Sequence, residues 1–154
     1  MKLVQSTKTK LVFHLGQREE RLLLRVLKCY PCVPSAHHLL SKTGRLPDAE
    51  ANQQLLDEAL AEQRAENKKQ LEALLADPRR FARTETGARL SLSPAGMEGL
   101  LQVLNDIRVG SWIMLGSPDK KPAEMTAANA PHFLAMEMVG CFQMQLLEAL
   151  QKEP

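Results

Sequence analysis

Along the chain the spacing of apolar residues changes between two periods: alternation in a few short stretches, and a repeat of three to four residues elsewhere. "KTKLVFHL" (8–15) carries a β signal, with Val12, Phe13 and Leu15 ahead of Gly16. From Gln17 the stretch "QREERLLLRVLKCY" turns helical, with acidic residues in the first turn where the helix dipole favours them. Pro31 and Pro34 stop it, and "SAHHLLSKTG" can form a short helical turn closed by Gly44. A second helix begins near "PDAEANQQ" with Asp48 as its N-cap and runs to Asp77-Pro78, about 42 Å if unbroken. Leu55, Leu56 and Leu60 give its first half an apolar face, and Leu71, Leu74 and Leu75 do the same near its end. Between them "AEQRAENKKQ" offers only alanines, so the helix projects from the body, bridges two parts of it, or breaks there.

"RFARTETGARLSLS" predicts a β-hairpin turning at Glu85-Thr86-Gly87, with Leu90 and Leu92 on one face. Ser93-Pro94 supplies an N-cap and first-turn proline for the helix that follows, which ends at Gly116. Residues 117–129 form a loop containing Pro and Ala, and "PHFLAMEMVGCFQMQLLEALQKE" is the last helix. The pattern predicts a mainly α fold of four to five helices with a small two- or three-stranded antiparallel β element, in a single domain over residues 1–154.

Composition adds little. The 154 residues are 44% hydrophobic, enough for a core, and the net charge of +2 lacks the basic excess of a nucleic-acid binder. "MKLVQSTKTKLVF" has polar residues where a signal peptide needs an apolar run, and no stretch approaches the ~20 uninterrupted apolar residues of a membrane span. The expectation is a cytoplasmic protein with reduced cysteines and no membrane association.

The most pointed question lies in "LLQVLNDIRVGSWIMLG" (100–116). At about 100° per residue, Met97, Leu100, Leu101, Leu104, Ser111, Trp112 and Leu115 share an arc with Arg108 near its centre. Asn105 lies on its flank beside Trp112, and Asp106 points to the opposite side with Gly99 and Gly110, where another helix could approach closely. A buried charge must be paired. Either Arg108 and Asn105 recognise an anion in a small cavity, or Arg108 braces the core against an acid and backbone carbonyls. The brace is the expected role, which makes Asn105, Asp106, Arg108 and Trp112 a structural polar motif. No catalytic partner accompanies them: the chain has no phosphate loop, nucleophile elbow or paired-carboxylate motif.

"LSLSPAGMEGLLQVLNDIRVGSWIMLG" resembles the signature of a family of small, uncharacterised bacterial helical proteins, in which a Leu-Asn-Asp-x-Arg helix follows a short strand and an N-cap. The resemblance covers about residues 90–116, and "REERLLLRVL" is weakly similar to that family's first helix. It implies a helical cytoplasmic protein and brings no activity with it.

"CYPCVPSAHH" places Cys29, Cys32, His37 and His38 within ten residues. Reactive C-x-x-C thiols sit at a helix N-terminus, whereas this pair closes a helix, so the dipole opposes a thiolate. Zinc would need completion by His132 or Cys141, and the long separation between ligand pairs is missing. No metal or cofactor is expected; a Cys/His metal-dependent module or enzyme remains an alternative. The hairpin and its following helix also look like the wing of a winged-helix DNA-binding regulator, with Arg79, Arg80, Arg83 and Arg89 in its favour. Against it, Asp48 and Glu50 would face the phosphates at the start of the recognition helix, so nucleic acid is not the expected partner.

The last helix is apolar nearly all round. Ala135, Met138, Val139, Phe142, Leu146 and Leu150 form a core face, and Phe133, Met136, Met144 and Leu147 form a second arc around Gly140. The second arc is a candidate contact surface, because methionine repacks readily against partners. The reading as a whole is a non-enzymatic helical interaction protein whose partner is a second copy, the simplest case, or another protein.

Overall fold

The computed structural model describes residues 1–38, 48–117 and 124–151. Two hairpins meet in one sheet: β1 (Lys2–Thr7) with β2 (Lys10–Gly16), and β3 (Phe81–Thr84) with β4 (Gly87–Leu92). The strand order is β1-β2-β4-β3, antiparallel throughout. Around it lie α1 (Gln17–Leu27), α2 (Ala49–Ala76), α3 (Pro94–Met114) and α4 (Ala130–Gln151), with a 3-10 turn at Ser35–His37. The expected loop after α3 and the tail of the turn at "SAHHLLSKTG" fall partly outside the described residues.

The sheet has four strands, not two or three, and the strand missing from the sequence reading is β1. Its pairing runs Lys2 to His14 and Leu3 to Phe13, then skips to Gln5 with Val12, so Val4 is an extra residue. This bulge puts the partly covered positions, Leu3 and Ser6, three apart instead of two. Alternation is lost, and an exposed edge strand leaves no other apolar signature.

The sheet's inner face is Leu11, Phe13 and Leu15 of β2 paired across to Leu92, Leu90 and Ala88 of β4, all buried. Leu23, Val26 and Leu27 of α1, Leu100, Val103, Leu104 and Ile107 of α3, and Val139, Phe142 and Leu146 of α4 complete one core with it. Because β4 lies between β2 and β3, the 81–92 hairpin is built into the sheet and is not a projecting wing.

α1 starts directly where β2 ends. The Glu19 carboxylate accepts the Gly16 N–H at 2.9 Å and also holds the Met1 amino group, while Glu20 accepts from Arg83 Nε at 2.9 Å. The first-turn acids therefore tie the helix to both ends of the sheet as well as suiting its dipole. α2 is continuous over 28 residues. Asp48 stands at its N-cap position in a left-handed conformation, but its side chain makes no cap hydrogen bond. Only Asn67, Leu71 and Leu74 of α2 are buried; Leu55 is exposed, so the first half stands away from the core. α3 begins as expected, with Ser93 Oγ accepting the Gly96 N–H at 3.1 Å.

Gly87 has φ +143° and faces Gly16 across the ladder, where a Cβ would collide with the backbone of Leu15, Gly16 and Gln17. Gly87→Ala should cost at least about 2 kcal/mol, read as a lower urea midpoint at unchanged slope.

Candidate functional site

α3 carries its polar motif on two opposite flanks. The buried line of the helix is Met97, Leu100, Val103, Leu104, Ile107, Gly110 and Ser111. It is rotated roughly a quarter turn from the arc drawn on the sequence, because α3 is covered by α4 on one side and by α2 on the other. Arg108 consequently lies exposed beside α4, where Nη1 donates to Gln143 Oε1 at 3.4 Å. It is not a buried brace. Asn105 is also exposed and Trp112 is half-buried.

The bracing falls to Asp106. Its Oδ1 accepts the backbone N–H groups of Cys32 at 2.6 Å and Val33 at 3.3 Å. Arg64 of α2 stands 3.9 Å from Oδ2 through Nε, while Nη2 donates to the Val33 carbonyl at 3.0 Å and Nη1 to Ser35 Oγ at 3.5 Å. The Tyr30 hydroxyl donates to the Arg64 carbonyl at 3.4 Å. A carboxylate on α3 and a guanidinium on α2 thus clasp the segment between Tyr30 and Ser35, whose backbone has no ladder of its own.

Gly110, one turn along α3 from Asp106, lets this segment lie against the helix: a Cβ there would come within 2.5–2.6 Å of Cys32. The close approach expected at Gly110 is therefore made by a loop and not by a helix. At Gly99 the neighbour is Gln70 of α2, 3.4 Å from where a Cβ would stand. A second polar link joins the same helices, from Gln63 to Asn67 at 2.9 Å and from Asn67 to Gln102 at 3.4 Å.

The Cys/His cluster is pulled apart by the clasp. Cys29 is exposed beyond the end of α1, Cys32 is half-buried against α3, and the His37 and His38 rings meet edge to face at 5.7 Å. Among the described residues no group of three or more His, Cys, Asp or Glu is placed to hold a metal. Burial pushes the Cys32 thiol up from its ordinary pKa, with the Asp106 charge adding to the effect and the Ser111 hydroxyl opposing it. A thiol kept protonated is a poor nucleophile and a poor ligand. All three cysteines are free.

The second arc of α4 is outward-facing. Phe133, Met136 and Gly140 are half-buried, Met144 and Leu147 are exposed, and nothing lies within 4 Å of where a Gly140 Cβ would stand. Leu150, expected in the core face, is exposed as well; its place is taken by Ala149. Leu147 and Leu150 border a groove of about 540 Å³ between α3 and α4, with Pro94, Leu101, Asn105 and Gln143 on its walls. A neighbouring hollow of about 210 Å³ is lined by Arg108, Met136, Glu137, Gly140, Cys141 and Met144. Among the described residues α4 alone is long and apolar enough to cross a membrane, and one such helix is weak evidence of a span.

Residues 32–150 match the family described as a domain of unknown function, DUF2017. The chain belongs to this family. The DUF2017 match reaches well beyond residues 90–116, without showing the Leu-Asn-Asp-x-Arg motif as its signature, and takes in the clasp except Tyr30 and Pro31, together with the α3–α4 groove. It does not include α1, whose "REERLLLRVL" had suggested the family's first helix. No curated protein and no solved structure matches the chain.

The sequence does not reveal the polar roles of Arg64 and Tyr30: Tyr30 continues the apolar spacing of Leu23, Val26 and Leu27, which hides its hydroxyl, and the one visible signal is Arg64 as a lone arginine in the polar waist of α2. Asp106→Ala leaves two amides of the clasped segment unpaired and should cost about 2–4 kcal/mol, whereas Arg108→Ala should stay within about 0.5 kcal/mol; thermal or urea melts of the two variants distinguish these roles. With a maleimide at neutral pH, peptide mapping should find Cys29 and Cys141 labelled well before Cys32.

Proposed function

We propose that this member of DUF2017 is a non-enzymatic helical interaction protein that self-associates through the outer face of α4 and the groove beside α3. The observation that carries the reading is a line of large apolar side chains left uncovered on one helix: Met144, Leu147 and Leu150 are 55%, 48% and 50% exposed. Single exposed leucines are ordinary, but a contiguous apolar line bordering a groove marks an association surface. Gly140, with open space over it, allows the backbone of a second helix to come close.

Charge favours a second copy as the occupant. The hollow next to the groove holds both Arg108 and Glu137, which do not form an ion pair with each other in the monomer. An isologous two-fold contact presents the same patch twice, so Arg108 of one protomer faces an acid of its partner without any foreign surface. The three free cysteines fit a reducing compartment, and we place the protein in the cytoplasm.

Light scattering across a concentration series tests the reading. The wild type should be a dimer, and Met144→Glu/Leu147→Glu a monomer with an unchanged circular dichroism spectrum, since neither side chain belongs to the core. A wild type that stays monomeric up to the highest concentration overturns it.

A further inference from the structure

We infer that the cleft between α1 and α2 is a binding site for a small amphiphilic monoanion, of the class of a medium-chain carboxylate. α1 packs on β2, β4, α3 and α4, and α2 packs on α3 and β3. Between the two helices this leaves a cleft of about 440 Å³, within the size range of small-molecule sites. It shares no residue with the α3–α4 groove.

The floor is apolar: Leu24 and Leu27 from α1, Leu71 and Leu75 from α2, and the ring of Tyr30. The rim is charged, with Lys28, Lys68, Glu72 and Arg83. Arg83 is already engaged by Glu20 at 2.9 Å, while Lys28 and Lys68 have no ion-pair partner among the described residues. Three cations therefore stand against two carboxylates, and one positive charge is left for a ligand.

The charge and shape narrow the ligand class. Lys28 is the C-cap of α1, so the helix end facing the cleft carries the negative end of its dipole. That end opposes any anion, and a multiply charged one most, so the single surplus charge of the rim suits a monoanion held at the lysine heads and not a phosphate. The walls are one turn of α1 and two turns of α2, about 10 Å long. They are too short to seat a partner helix, whereas an alkyl chain lies along the leucines with its carboxylate at the lysines.

The test titrates the full chain, labelled on leucine methyls, with decanoate below its micelle concentration and in parallel with decanol. Saturable decanoate binding should shift Leu24, Leu71 and Leu75. Lys28→Gln/Lys68→Gln should weaken it about tenfold and leave decanol unchanged, while Lys28→Arg/Lys68→Arg keeps wild-type affinity. Both positions are exposed, so both variants should melt like the wild type. Absence of saturable decanoate binding overturns the inference, as does equal affinity in the glutamine variant. Shifts centred on Leu147 and Leu150 overturn it too, since they would move the ligand to the other groove.

Discussion

A single carboxylate organises the joint on which this fold turns. Asp106 satisfies two backbone amides of a segment that has neither strand nor helix to pair them. A segment without internal hydrogen bonds can be buried only if something else supplies acceptors. Arg64 completes the arrangement from the opposite helix, donating to the carbonyl of Val33 and lying within ion-pair reach of Asp106. The long α2 helix is thereby tied to α3 through the residues that follow α1, and the leucines of all three helices reach the same core.

This placement explains why polar groups in one short motif have such different fates. Asp106 and Arg108 are two residues apart, about 200° around a helix, so they cannot share a surface. One faces a backbone segment that needs acceptors; the other faces α4 and solvent. The same geometry disposes of the cysteine and histidine cluster. Cys32 is held against Gly110 and Ser111 of α3, while Cys29 stays outside, and proximity in sequence does not become a shared site.

Much of the architecture was legible in the sequence. α1, the 81–92 hairpin, and the Ser93-Pro94 start of α3 follow from periodicity and capping chemistry, because each imposes a local residue pattern, whereas the continuity of α2 through its polar waist does not, and Asp48 makes no side-chain cap there. Nor does β1, since a bulge at Val4 breaks its alternation and one of its edges is unpaired. The rotation of α3 is not visible in a helical projection, where Leu101 and Trp112 look like core residues and Gly110 looks like surface, although Ser111 falls on the buried side in both projection and structure. Which face is buried depends on where α2 and α4 come to rest, and a single helix does not encode that. The outward arc of α4 was legible in part: Met144 and Leu147 were placed outside, and Leu150 was placed inside with the core.

The ladder between β2 and β4 bears on where this domain begins. Similarity to the family starts at Cys32, but β4, inside the matched range, is paired along its whole length with β2, which precedes it. A polypeptide trimmed to residues 32–150 would lose Phe13 and Leu15 from beside Leu90 and Ala88 on the buried face of the sheet. It would also bare a row of amides and carbonyls on an apolar strand, a template for sticking to other chains. The boundary drawn by sequence resemblance therefore cuts through a cooperative core, and the physical unit extends upstream to include the first hairpin.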